Sequence, residues 1–178
     1  MKIGHIPEDR QTSGACLTAS LTENMVLDHY RNKEYKIGSF LNRKKMRAFT
    51  KEMMTKFDVR AQSEEALAGS LSGGNLQKVI IARELSKDPK LLIASQPTRG
   101  VDIGAIEFIH REIIAHRDKG AAVLVVSAEL SEVMALSDRI AVLYNGEIAA
   151  ILENTPDLTE EEIGYYMLGI KKQQEATS

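Results

Sequence analysis

The strongest constraint on this chain is an alternation of apolar patterns that begins after Gly74. Leu76, Val79, Ile80 and Leu85 recur at helical spacing until Asp88 and Pro89 stop the run. Residues 91–94 (LLIA) then form an aliphatic stretch of strand length. Residues 103–117 carry Ile103, Ile106, Ile109 and Ile113 on one helical stripe, with Gly120 as the stop, and 121–126 (AAVLVV) is a second buried strand. A shorter helix at 130–136 leads to apolar runs at 140–144 and 147–152, joined by Asn145-Gly146, the dipeptide of a tight β-hairpin. Strands alternating with helices indicate crossover connections and largely parallel pairing. The expected class is therefore α/β, a largely parallel sheet with flanking helices and a C-terminal β-hairpin, with ligands at the carboxyl ends of the strands.

The amino-terminal part reads differently. Residues 1–10 (MKIGHIPEDR) suggest an extended piece ended by Pro7, and Ser, Thr and Gly at 12–14 suggest a loop. Helical patterns at 17–30 and 41–57 predict a small helical lobe, its core built from Met46, Phe49, Met53, Met54 and Phe57, with Arg43, Lys44, Lys45 and Arg47 on a solvated face. A polar connector at 58–70 follows. Thr159 and Glu162 have the spacing of a capping box for a final helix, and 171–178 reads as a frayed tail. His110 and His116, six positions apart, face different ways and read as surface or satisfied groups rather than metal ligands. The net charge of −2 argues against a nucleic-acid-binding surface. The single cysteine, Cys16, reads as a bystander and points to a reducing, cytoplasmic setting. No apolar run approaches the roughly 20 residues that cross a bilayer.

The chemistry-bearing stretch is Leu71-Ser72-Gly73-Gly74-Asn75-Leu76-Gln77-Lys78. It places a serine and two glycines at the start of a helix, where free N–H groups and the positive dipole end favour an anion. Taken alone, Ser-Gly-Gly is most often a glycine turn with a serine cap. Here a second stretch follows about twenty residues on: Leu91-Leu92-Ile93-Ala94-Ser95-Gln96-Pro97-Thr98-Arg99-Gly100-Val101-Asp102, an apolar strand ending in a polar pair and a turn with a carboxylate. In that order and spacing the two stretches resemble the signature loop and Walker B region of ATP-binding cassettes (ABC ATPases). The likeness extends from Pro7-Glu8-Asp9-Arg10 to the hairpin. The wording PEDR and TRGVD is similar to the second cassette of tandem ATPases that drive bacterial importers of simple sugars and nucleosides.

The resemblance implies a partial P-loop NTPase fold. Residues 1–70 would hold the Q-loop region and helical subdomain, 71–155 the signature helix and Walker B, D-loop and H-loop core with the hairpin, and 156–178 the last helix and tail. It implies that Leu71, Ser72, Gly73, Gly74 and Asn75, supported by Gln77 and with Asp102 on the D-loop, contact ATP held on the P-loop of a partner cassette. For Gln77 and Lys78 a solvated helix face is the competing expectation, and for Asp102 a helix N-cap. The implied setting is cytoplasmic, peripheral on the inner face of the membrane. Permease subunits would be direct partners, a solute-binding protein an indirect one, and Mg²⁺ with ATP the cofactors of the complete pair.

Several positions depart from the family pattern. Ser95 and Gln96 stand where an Asp-Glu pair holds Mg²⁺ and polarises the attacking water; a serine hydroxyl is a poor Mg²⁺ ligand, and an amide cannot take up a proton. Ala128 replaces the switch histidine after Val125-Val126-Ser127, and Glu8 occupies the Q-loop position, otherwise a glutamine near the metal. A P-loop of the form G-x-x-x-x-G-K-[ST] does not occur, nor does the dipeptide Gly-Lys. Met1 falls inside the family pattern, so the chain reads as a fragment. Such a piece is expected to expose sheet edges and apolar side chains and to be marginal or self-associating. Three function classes are consistent with the class of fold: a transport ATPase fragment acting in trans, a non-catalytic regulatory or scaffold cassette, and a soluble cassette of the translation or repair kind. The last is disfavoured by the absence of basic surface and long charged linkers.

Overall fold

The computed structural model describes residues 2–30 and 32–173. It divides into two compact units, Met1–Val126 and Ser127–Ser178.

The first unit begins with strand β1 (Ile3–Ile6), followed by a single π-type turn, Arg10–Gly14, where the sequence suggested an open loop. The Asp9 carboxylate makes that turn by accepting from Gln11 N–H at 2.9 Å, Thr12 N–H at 3.1 Å and the Thr12 hydroxyl at 2.6 Å. Those bonds, the hydroxyl's first, hold the Asp9 carboxyl below the usual carboxylate range.

Helix α1 (Leu21–Val26) is far shorter than the expected span of 17–30. Ser20 and Glu23 form a complete capping box that fixes its start. The Asn24 amide explains why no helix precedes it, since it donates to the carbonyls of Cys16 at 2.9 Å and Ser20 at 3.0 Å and so spends its groups on a turn. A two-stranded hairpin, β2 (Lys36–Ile37) and β3 (Phe40–Leu41), was not anticipated; it closes at Gly38, whose φ of +58° suits glycine. Helix α2 (Arg43–Lys56) starts on Asn42 as its N-cap. As expected, Met46, Met53 and Phe57 are buried and Arg43, Lys44, Lys45 and Arg47 are exposed, with Arg47 paired to Glu65 at 2.8 Å.

Helix α3 (Gly73–Ser86) runs through the middle of the unit, touching α1, α2 and β1. Its residues are buried on every side from Leu76 to Glu84, which overturns the expected one-sided stripe. Glu84, deep in this packing, accepts from the His5 N–H at 3.1 Å, the Lys87 ammonium at 2.5 Å and the Arg83 guanidinium at 3.0 Å, so its burial is compensated.

After the turn at Asp88 come strand β4 (Leu91–Ser95), helix α4 (Ile103–Asp118) and strand β5 (Ala122–Val126). Helix α4 packs against α3. The sheet order is β1-β4-β5, all parallel, with Ile6 opposite Ala94 and Ala94 opposite Val125. One face, carrying Ile6, Leu92 and Ala94, is buried. The opposite face leaves Ile3, Leu124 and Val126 at 52%, 53% and 51% exposure, so apolar side chains of the sheet are exposed as expected. His116, on the last turn of α4, is buried, and its Nε2–H donates to the Pro89 carbonyl at 2.9 Å, a satisfied structural histidine; Cys16 is exposed.

His29 provides a pH-dependent contact within this unit. The Ser86 hydroxyl donates to the Arg83 carbonyl at 2.7 Å and therefore accepts from His29 Nε2–H at 2.9 Å, which fixes the neutral tautomer. The ring stands edge-on to Tyr35 and Phe49. Burial holds the imidazole below its ordinary value, opposed by the Asp28 and Glu34 carboxylates and reinforced by Lys87 and Lys2. The unfolded chain thus binds this proton more readily than the folded one. Stability is expected to fall as pH drops from above about 6.5 toward the lower folded value. Urea midpoints measured from pH 7.5 to 5.5 check this; His29→Gln should flatten the slope, and an unchanged slope would remove His29 as its source.

The second unit contains helix α5 (Leu130–Leu136), strands β6 (Arg139–Tyr144) and β7 (Glu147–Glu153) and helix α6 (Glu160–Met167). The hairpin turns at Asn145 and Gly146, both with positive φ, as Asn-Gly predicts. Ile140, Val142 and Ile163 form its core. Thr159 caps α6 by accepting from the Glu162 N–H at 3.2 Å, which is one half of the expected capping box. Of the expected frayed tail, residues 174–178 lie outside the described residues. Gln173 is bound instead: its N–H donates to Ala149 O at 2.9 Å, and its side-chain oxygen accepts from Ile151 N–H at 2.7 Å. Gln173 therefore satisfies one carbonyl and one N–H of β7.

Candidate functional site

The segment of interest is the start of α3. Ser72 is its N-cap, and the first helical bond runs from Leu76 N–H to the Ser72 carbonyl at 2.9 Å, so the N–H groups of Gly73 and Gly74 precede the ladder. Asn75 organises the cap. Its Oδ1 accepts from the Arg60 N–H at 2.8 Å, which fixes the amide so that Nδ2 donates to Ser72 Oγ at 3.1 Å. Asn75 N–H approaches the same oxygen at 3.4 Å. With its oxygen accepting from Asn75, the exposed Ser72 hydroxyl keeps its proton free to donate. Leu71, half-buried, closes the one-turn helix at Ala68–Ser70 that delivers the chain to Ser72.

Close approach leaves no room for a side chain at Gly74 and little at Gly73. A Cβ on Gly73 would lie 3.2 Å from Arg10 Nη2 and 3.4 Å from the Gly100 carbonyl; on Gly74 it would lie 2.7 Å from Asp102 Oδ2 and 3.1 Å from Ala105 Cβ. Helices α3 and α4 thus bring their N-termini together. Asp102 caps α4, its Oδ1 accepting from the Ala105 N–H at 2.9 Å, so the N-cap expectation for it holds. Between the two helix starts lies an open cleft of about 250 Å³, lined by Gly74, Asn75, Asp102 and Ala105 and by the charged Asp58, Arg60 and Lys78.

The solvated-face expectation for Gln77 and Lys78 is wrong. Gln77 is 2% exposed, and its Nε2 donates to the Pro97 carbonyl at 2.7 Å. Lys78 is buried over the Phe108 ring and donates to Asp58 Oδ2 at 2.8 Å and Asp58 O at 3.0 Å. That bond from Lys78 is the main reason the Asp58 carboxyl sits below its usual range.

Ser95 ends β4, and Gln96 follows in a left-handed conformation, φ +49°, with its N–H donating to the Val126 carbonyl at 2.7 Å. Neither brings a carboxylate. Glu8 follows β1, exposed and ion-paired with Arg99. Ala128 is exposed, two residues beyond β5, and carries only a methyl group. Among the described residues no group of three or more His, Cys, Asp or Glu is arranged to hold a metal ion. Neither Ser95 nor Gln96 offers the carboxylate oxygen that Mg²⁺ prefers. The helix start at Ser72, by contrast, fits an anion. Arg10 was missed from sequence: its guanidinium donates to the carbonyls of Arg99 at 2.5 Å and Gly100 at 2.9 Å, some 90 residues along the chain, where no local pattern points.

A parallel sheet with flanking helices, a serine-capped glycine helix and an aliphatic strand leading into a turn capped by Asp102 are together consistent with the core of a cassette-type ATPase. Residues 2–99 match the family described as ABC transporter, and the chain belongs to the ATPase domain of that family. It is 47% identical over 94% of its length to the nucleoside import ATP-binding protein NupA of Lactococcus lactis subsp. cremoris. It is 48% identical, again over 94% of its length, to the guanosine import ATP-binding protein NupO of Bacillus subtilis. It spans 33% and 32% of those two proteins, about a third of the length of each. A solved dimeric ATP-binding cassette in a post-hydrolysis state bound to ADP and Pi shares the fold, with a TM-score of 0.69 at 23% identity over 86% of this chain and 63% of that one. Among the described residues no helix is long and apolar enough to cross a membrane.

Proposed function

We propose that this chain is the signature-bearing part of an ABC importer ATPase for nucleosides or simple sugars, and that it acts on ATP held by the P-loop of a second cassette. The observation that carries this is the exposed Ser72 at the start of α3, whose oxygen accepts from Asn75 and leaves its hydroxyl proton free to donate. Together with the free N–H groups of the glycines it forms a donor cluster for a γ-phosphate delivered in trans. The site that this cassette's own strands would complete is degenerate: Ser95, Gln96 and Ala128 supply neither metal ligand, base nor γ-phosphate contact. The names of NupA and NupO support a nucleoside as cargo. Permease subunits, and through them a solute-binding protein, are the further partners, with the ATPase peripheral on the cytoplasmic face of the membrane. Mg²⁺ belongs to the partner's intact site.

The same substitutions favour a second reading, a regulatory or scaffold cassette that supplies an interface without accelerating turnover. One experiment separates the two. Added to a cassette with an intact P-loop, the native chain should accelerate ATP turnover, and Ser72→Ala should lower the stimulated rate about a hundredfold, the usual consequence of removing one preorganised donor. Ser72→Thr, which keeps hydroxyl and cap, should retain most of it. Equal stimulation by native chain and Ser72→Ala would refute the trans role.

A further inference from the structure

The turn that follows β4 is tied down at every carbonyl. Gln96 O accepts from Arg99 N–H at 3.1 Å and Thr98 O from Val101 N–H at 3.3 Å. The three carbonyls between and beyond are taken by side chains from elsewhere: Pro97 O by Gln77 of α3 at 2.7 Å, Arg99 O and Gly100 O by Arg10 at 2.5 and 2.9 Å. Full satisfaction of five successive carbonyls leaves the turn little freedom. Arg10 is itself held, since it opens the turn that Asp9 caps, and Glu8 beside it pairs with the Arg99 side chain. The same guanidinium lies against Gly73 so closely that a Cβ there would be 3.2 Å from Nη2.

Three segments distant in sequence therefore meet at one side chain: the PEDR stretch, the signature glycines and the turn leading to Asp102. We propose that Arg10 is a positioning residue that locks Ser72 and the Asp102 turn into one rigid surface and joins that surface to the Glu8 segment. Its planar fork suits two carbonyls at once, which a lysine ammonium does not. Displacement of residues 8–10 would then move the signature loop and the D-loop together. The functional half of this inference rests on the trans role of Ser72.

The test uses two readouts on the whole chain. Amide exchange at Val101 reports the turn, with Leu92 and Ile109 as core references. Fluorescent ATP-analogue binding to an intact-P-loop cassette, in the presence of this chain, reports the surface. For Arg10→Ala the expected result is Val101 exchange faster by about tenfold or more, since charge-assisted bonds are lost, with Leu92 and Ile109 unchanged and the analogue bound about tenfold more weakly. Arg10→Lys should fall between, restoring one bond of the two. If Ser72→Ala weakens analogue binding while Arg10→Ala leaves both readouts at the native level, the positioning role is overturned. If Arg10→Ala speeds Val101 exchange but analogue binding holds in a background where Ser72→Ala does weaken it, the coupling to the signature loop is likewise overturned. Should Ser72→Ala itself be silent, the trans reading fails, and Val101 exchange alone then upholds or overturns the lock.

Discussion

Gln77→Glu is expected to be the most damaging isosteric change in the chain. The amide is 2% exposed and, among the described residues, its one hydrogen bond is donated to the Pro97 carbonyl at 2.7 Å, while its own oxygen is buried with no partner there. An ionised carboxylate there would have no donor to meet and would face a carbonyl oxygen. Leaving a buried charge uncompensated costs roughly 3–5 kcal/mol, equivalent to a fall of about 10 °C in Tm for a chain of this size. Protonation rescues it, because a neutral carboxyl restores a donor toward Pro97. The folded pKa of the new group would therefore stand above its unfolded value of about 4.3. Relative to the native chain, the loss should be smallest near that value and grow as pH rises through the folded pKa. Urea midpoints of both proteins from pH 5 to 8 test this; a difference independent of pH, or none at pH 7.5, would contradict the buried donor role.

Gly74→Val should rank second. The new Cβ would start 2.7 Å from Asp102 Oδ2, and that carboxylate has no freedom to leave, since its other oxygen caps the Ala105 N–H at 2.9 Å. Overpacking of about 1–3 kcal/mol and loss of a cap worth about 1 kcal/mol combine, offset by up to about 0.5 kcal/mol for removing a glycine from a helix. A net loss of about 1.5–4 kcal/mol is expected in thermal or urea melts. Removing the obstructing oxygen tests the cause: Asp102→Ala costs stability alone but should relieve part of the Gly74→Val penalty, a non-additive pair. Strict additivity would place the clash elsewhere.

These two positions also show where sequence stopped being informative. The strands β4 and β5, helices α4 and α5 and the Asn145-Gly146 hairpin were legible because each is specified by neighbours within a few residues: aliphatic runs, an isoleucine stripe, a turn dipeptide. Ser72 as a cap and Asp102 as a cap were legible for the same reason. Gln77 and Lys78 were not. Their polarity suggests a solvated face, yet α3 is covered on all sides, and their partners, Pro97 and Asp58, lie twenty residues away in either direction. Arg10 is a stronger case, since both acceptors are backbone carbonyls, invisible to any pattern of side chains. The late start of α1 traces to the Ser20–Glu23 capping box and to Asn24, whose amide binds the preceding turn. The short β2–β3 hairpin, with Phe40 81% exposed, has no apolar alternation to announce it.

The measurement closest to the central claim is binding of a fluorescent ATP analogue with Mg²⁺ to this chain alone, and then to a cassette with an intact P-loop before and after the chain is added. No detectable binding to the chain alone, with the cassette's affinity raised by the native chain and not by Ser72→Ala, is the predicted result. Tight binding by the chain alone, or an affinity raised equally by Ser72→Ala, would contradict a signature loop that works only on a partner's nucleotide.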